Sequence, residues 1–291
     1  MIFRLFDHEL HLKEYSCSLN GRQPYKFDKP YINMYVRLSN TCNASCKFCA
    51  FCGHYQKFDV QKFKYVLKYI NDRIRINKLS FTGGEPTGDF SLFKEMLSFV
   101  NELNPNIFTV VNTNGLNLSK MDKLDINSIA LSRHHYDDDK NNELFNITNI
   151  SADEIANFAK DNSNLHLSCN LVKGYIDSQE EVLRYLDWCD SINARDVGFV
   201  SLMSANNFCK ERFIDYTVIT SIKNKRLLKT KEWCKNVDNP LCRCNNYVYM
   251  GDSGDFVRAY ARYYASSDNV ESQLVFDGDC LKDGFNGKVL Y

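Results

Sequence analysis

Residues 31–49 run YINMYVRLSNTCNASCKFC. Ile32, Met34, Val36 and Leu38 recur at every second position, so Tyr31–Ser39 predicts a strand with one face buried. The strand empties into Cys42, Cys46 and Cys49, separated by gaps of three and then two residues. Thiolates set this closely on one loop can wrap a single iron–sulfur cubane, and three of them leave one iron open to a small molecule. Zinc is the competing assignment. Cys52 follows Cys49 after two residues and could supply a fourth thiolate.

Downstream, strand-like and helix-like patterns alternate. Phe58–Ile74 is an amphipathic helix with Phe63, Val66, Leu67 and Ile70 on one face. Leu79–Thr82, Ile107–Val111, Ser128–Ser132, Leu165–Val172 and Val197–Met203 read as further strands. Helices are expected at Phe90–Leu103 and Ser178–Asp190, and from Ser151, where Glu154 completes a capping box. This rhythm predicts an α/β fold, a partial (β/α)6 barrel of the TIM type, over residues 31–203. Residues 1–30 are expected as a short cap. Residues 204–291 lose the rhythm and are expected as a small α+β extension. It would hold a helix at Thr217–Leu228 and a hairpin of Tyr247–Met250 and Asp255–Tyr260 about a Gly-Asp-Ser-Gly turn.

Chemistry-bearing residues then fall at strand ends, as a barrel requires. The second strand ends Thr82-Gly83-Gly84-Glu85-Pro86, where two glycines admit close approach and the acid can grip an ammonium group. The third ends Thr113-Asn114-Gly115, and the fourth Ser132-Arg133-His134-His135-Tyr136. Arg133 suits a carboxylate or phosphate, and His134 or His135 suits a general base, so all three are candidates for substrate contact. Hydrogen bonding within the loop is the plainer role for either histidine.

Cys42-x3-Cys46-x2-Cys49 with Gly83-Gly84-Glu85-Pro86, each after a barrel strand, resembles the radical S-adenosylmethionine (SAM) superfamily. The resemblance implies a [4Fe–4S] cluster on Cys42, Cys46 and Cys49, with the open iron taking SAM. It implies reductive cleavage of SAM to a 5′-deoxyadenosyl radical. It also implies SAM contacts at Phe48, Gly83, Gly84, Glu85, Asn114, Ser132 and Asn170. Cys52 is extra to the pattern and expected to be a bystander. Cys234, Cys242 and Cys244 beside the predicted hairpin, with Cys280, look like the ligands of an auxiliary [4Fe–4S] cluster in Twitch or SPASM extensions. Zinc or free thiols are the alternatives there. The spacing is incomplete, since Val257–Tyr264 holds no cysteine.

Composition narrows the partners. The chain has 291 residues with 36 basic and 36 acidic side chains, so no net charge points to nucleic acid. A basic run at Lys223–Lys231 is expected to be a solvated helix face. No signal-peptide core or transmembrane run is present, so a cytoplasmic location is expected. Twelve cysteines in such a chain argue for metal or catalysis rather than disulfides. A small-molecule substrate and a reductant such as flavodoxin or ferredoxin are the expected partners. A maturase of ribosomal peptides and a non-catalytic iron–sulfur or zinc protein are the alternative readings. The first often carries an N-terminal winged-helix module, for which residues 1–30 are too short. The second is disfavoured by Glu85 and the open three-cysteine loop.

Overall fold

The computed structural model describes residues 2–12, 31–49, 57–230, 244–262 and 272–291. The chain opens with a hairpin of β1 (Ile2–Leu5) and β2 (His8–His11). Its turn residue Phe6 stacks against Tyr69 and Tyr291, which docks the hairpin on the first helix.

Six strands then follow in chain order, each parallel to the next. They are β3 (Tyr31–Ser39), β4 (Arg75–Gly83), β5 (Phe108–Thr113), β6 (Ser128–Ser132), β7 (Leu165–Leu171) and β8 (Asp196–Ser201). The intervening helices are α1 (Val60–Asn71), α2 (Phe90–Leu103), α3 (Asp138–Phe145), α4 (Ala152–Ala159) and α5 (Gln179–Ser191). Their starts follow from local chemistry. Asp59, Asp89, Asp137, Ser151 and Ser178 each cap a helix by accepting a backbone N–H, and Glu154 closes the capping box at Ser151. The outward strand face is apolar, and Phe63, Val66, Leu67 and Ile70 of α1 are fully buried against it. The result is the partial TIM-type barrel.

Residues after Ser201 extend the same sheet. Two short helices, α6 (Asn207–Glu211) and α7 (Thr217–Thr220), lead to β9 (Leu227–Thr230), β10 (Asn245–Met250) and β11 (Phe256–Arg262). β12 (Gln273–Asp277) and β13 (Cys280–Lys282) complete the order β13-β12-β3-β4-β5-β6-β7-β8-β11-β10-β9. β11 lies parallel to β8 and β12 parallel to β3, so the parallel core gains a strand on each side. β10 and β11 form the expected hairpin.

The helix expected over Thr217–Leu228 stops at Thr220, and the chain returns as β9 to pair with β10. Beyond Thr220 the chain turns through residues 221–226, and Leu227 gains burial in the sheet. Lys223, Lys225, Arg226 and Lys229 of the basic run therefore lie in the turn and edge strand rather than on a helix face, and Lys231 lies outside the described residues. No helix among the described residues is long and apolar enough to cross a membrane.

Phe276 of β12 is fully buried, with ring centroids 5.3 Å from Phe63 and 5.5 Å from Phe58. These contacts tie β12 to α1 and to the segment leading into it. Phe276→Ala is expected to cost about 3–5 kcal/mol of unfolding free energy, read by urea denaturation against wild type.

Candidate active site

The cluster loop begins where β3 ends, and two neighbouring backbones set its path. Gly84 donates its N–H to the Ser39 carbonyl at 2.6 Å, and Glu85 donates to the Thr41 carbonyl at 2.9 Å. Neither glycine has room for a side chain. A Cβ on Gly83 would stand 2.2 Å from Ser39 O, and one on Gly84 2.0 Å from Thr41 O. Gly83 also has φ +127°, a conformation that glycine adopts without strain. The glycine pair thus locks its own turn onto the cysteine loop.

The far end of the loop is held by α3 and α6. Ser45 and Lys47 donate backbone N–H groups to the carbonyls of Phe145 and Leu144, both at 3.2 Å. Lys47 pairs with Glu143 at 2.9 Å. Asn206, which caps α6, donates its side-chain amide to the carbonyls of Lys47 and Cys49. Asn206 and α3 had no place in the sequence reading. An Asn-capped turn after the last barrel strand was the signal for the first. Three acids in Asp137–Asp139, ahead of Leu144 and Phe145, were the signal for the second.

Cys42 is exposed, and Cys46 and Cys49 are half-buried. Burial, then the charges of Cys49 and Cys42, push the Cys46 thiol up to about 12. Burial raises Cys42 as well, with Glu85 and Cys49 adding to it. The thiols are therefore electrostatic neighbours whose thiolates repel, and cluster iron among them would reverse that cost. No three Cys, His, Asp or Glu side chains among the described residues converge on a single ion. Cys52, Cys234 and Cys242 lie outside the described residues. Cys244 precedes β10 and Cys280 opens β13, at opposite ends of the strand order.

Glu85 is buried, with its carboxylate turned into the protein. Oε1 accepts from Thr87 N–H, Thr87 Oγ1 and Thr113 Oγ1 at 3.0, 2.6 and 2.7 Å. Among the described residues Oε2 accepts only the Asn114 N–H, at 2.8 Å, and so keeps capacity for a further donor. Asn114 carries the link onward. Its side-chain amide donates to Asn43 at 2.8 Å and approaches Cys42 Sγ at 3.7 Å.

At the end of β6 the structure corrects the sequence reading. Arg133, a candidate for substrate contact, has no exposure to solvent. It donates to the carbonyls of His135, Ile150 and Tyr136 and pairs with Asp138. Those bonds brace the loop between β6 and α4.

Neither histidine offers a base. His134 Nδ1 accepts the Asn170 N–H at 3.1 Å, and His135 Nδ1 accepts the Asp137 N–H at 2.9 Å. Each Nε2 therefore carries the proton. Burial, then the Arg133 charge, lowers His134 to about 3. Burial, then Lys140, lowers His135 to about 4. Both rings are neutral donors at physiological pH. His134 also packs against the loop, stacked on Phe145 and edge-on to Phe48 with centroids 5.0 and 4.7 Å apart. Ser132 and Asn170 are half-buried, on the face of β6 and β7 that turns away from the helices.

The sequence profile of the Radical SAM superfamily matches residues 36–189, more than half of the chain. The chain belongs to the radical SAM superfamily. Members use a [4Fe–4S] cluster and SAM, and this radical SAM protein is an enzyme with that cofactor pair.

A candidate glycyl-radical enzyme activating enzyme of Methanocaldococcus jannaschii is 29% identical over 119 residues, 38% of this chain and 44% of that protein. A candidate GTP 3′,8-cyclase of Thermoplasma volcanium is 26% identical over 122 residues, 39% of this chain and 36% of that protein. The matched segments span less than half of these relatives. Among solved structures, Streptococcus suis SuiB superposes with a TM-score of 0.50 at 18% identity, covering 61% of this chain and 41% of that one. The AdoMet-bound structure of anSMEcpe gives 0.49 at 15% identity, covering 65% and 58%.

If the glycine turn holds the cluster loop, Gly84→Ala must push the two backbones apart. Reconstituted Gly84→Ala is expected to retain well under half of the wild-type iron and acid-labile sulfide per chain, with an unchanged far-UV circular dichroism spectrum.

Proposed function

We propose that this radical SAM enzyme cleaves SAM reductively and abstracts a hydrogen atom from a small polar substrate held in the barrel. When bound, the cluster and SAM together supply the electron and the 5′-deoxyadenosyl radical for that abstraction. One observation carries the reading: a loop of three thiols clamped at the C-terminal mouth of a parallel barrel, where one iron of a cubane would lack a protein ligand.

The chain's own residues divide the remaining work. Cys42, Cys46 and Cys49 hold the cluster. Gly83 and Gly84 fix the loop and shape the backbone beside it. Glu85 Oε2 takes a donor from SAM. Phe48 supports the adenine, Ser132 and Asn170 bound the mouth, and the Phe48–His134–Phe145 stack keeps water from the loop's inner side. The neutral histidines leave proton transfer to other groups, which suits hydrogen-atom rather than proton abstraction. An external one-electron reductant of the flavodoxin or ferredoxin class feeds the cluster. Cys234, Cys242, Cys244 and Cys280 are candidate ligands of an auxiliary cluster, which would suit a dehydrogenation by accepting the second electron.

The reading is tested by anaerobic reconstitution, dithionite reduction and addition of SAM, with 5′-deoxyadenosine measured by chromatography. Wild type is expected to form it and Cys46→Ala to form none. Equal amounts from both, or none from wild type with a full complement of iron and sulfide, would contradict it.

A further inference from the structure

The barrel interior carries a charged cluster away from the cysteine loop, on β7, β8 and β11. Side chains alternate along a strand, and the apolar positions Leu167, Cys169, Val197, Phe199, Val257, Ala259 and Ala261 are all buried. Their neighbours His166, Ser168 and Asn170, then Asp196, Gly198 and Val200, then Arg258, Tyr260 and Arg262, share the opposite face. The register aligns them in rows: Arg258 with Asp196, Tyr260 with Gly198 and Ser168, and Arg262 with Val200 and Asn170. Ser168 also pairs with Ser132. The His166, Asp196 and Arg258 row lies toward the strand starts from the Ser168–Ser132 row, so the cluster sits deeper in the barrel than the residues that bound the mouth.

Its hydrogen bonds leave one arginine underused. Asp196 accepts from His166 Nδ1, from Arg258 at 2.8 Å and from the Tyr260 hydroxyl at 3.1 Å. With Nδ1–H committed to Asp196, His166 Nε2 is an acceptor, and it takes an N–H from Arg262 Nη2 at 3.1 Å. Burial lowers the His166 pKa, which keeps the ring neutral. Arg262 Nε is buried and has no partner among the described residues.

Gly198 makes the room: a Cβ there would stand 3.1 Å from both Arg262 Nε and His166 Nε2. Among the described residues, Arg258 and Arg262 both lie beside the Asp196–His166 pair. A buried donor fork is matched to an oxyanion.

We propose that Arg262 anchors an anionic group of the substrate, a carboxylate or phosphate, in the barrel below Ser132 and Asn170. His166, itself held by Asp196, positions the guanidinium so that Nε–H and an Nη N–H form the fork. The proposal rests on the radical SAM reading for the identity of the ligand as substrate.

The test uses the reconstituted holoenzyme with malonate and inorganic phosphate as separate probes. Ionic strength is held constant, and thermal unfolding is followed by circular dichroism. Wild type is expected to show a saturable rise in Tm with at least one probe, and the responding probe distinguishes carboxylate from phosphate. Arg262→Lys, which keeps the charge and loses the fork, is expected to need about tenfold more probe, and Arg262→Gln to show no response. Arg184→Gln, an exposed arginine on α5, is expected to match wild type.

SAM affinity in Arg262→Gln should stay within about twofold of wild type, since the guanidinium serves substrate and not SAM. A flat wild-type titration, a wild-type response in Arg262→Gln, an unweakened response in Arg262→Lys, or loss of SAM binding would each overturn the proposal. Formation of 5′-deoxyadenosine is read on the same preparations. Failure of the radical chemistry would therefore appear as absent product in every variant, separately from failure of the anchor.

Discussion

Everything at the barrel mouth depends on one backbone contact. The turn after β4 presses against the chain leaving β3, with Gly84 N–H on Ser39 O and Glu85 N–H on Thr41 O. That contact requires bare backbone at Gly83 and Gly84. It fixes where the loop to Cys42 starts, and Glu85 and Asn114 then extend the restraint toward Cys42. α3 and α6 fix where the loop ends. A cluster site of this kind is preorganised by backbone geometry rather than by side-chain packing, so its tolerance to substitution is small at the glycines.

Burial decides the roles of the polar residues around it. Arg133 is a cation without an approach from solvent, and its guanidinium is used up on carbonyls and Asp138. His134 and His135 lose their charge to burial and their Nδ1 lone pairs to backbone N–H groups. Among the described residues, hydrogen bonding is incomplete at Glu85 Oε2, at His135 Nε2 and, in the barrel interior, at Arg262 Nε. Incomplete pairing in a buried position is costly unless a ligand supplies the missing partner.

Much of this was legible in the sequence, and the limits have physical causes. The parallel strands and their helices follow from period-2 and period-3.6 patterning, as at Tyr31–Ser39 and Phe90–Leu103, and from capping residues such as Ser151. The cysteine loop and glycine pair were visible because their spacing is local. Arg133 was misread because its partners Ile150 and Asp138 are reached only through the fold. The return of β9, β10, β11, β12 and β13 to the barrel sheet was equally hidden, because strand pairing over such separations leaves no local mark. Arg258, Tyr260 and Arg262 alternate with apolar residues, which marks a half-buried strand. Their facing partners His166 and Asp196 lie far away in the chain.

The central claim is that Cys42, Cys46 and Cys49 hold a cluster with one iron open to SAM. Electron paramagnetic resonance of the dithionite-reduced, reconstituted protein, recorded with and without SAM, tests it most directly. The account predicts a [4Fe–4S]+ signal whose g-values and line shape change when SAM binds the open iron. A spectrum unaltered by saturating SAM would contradict it.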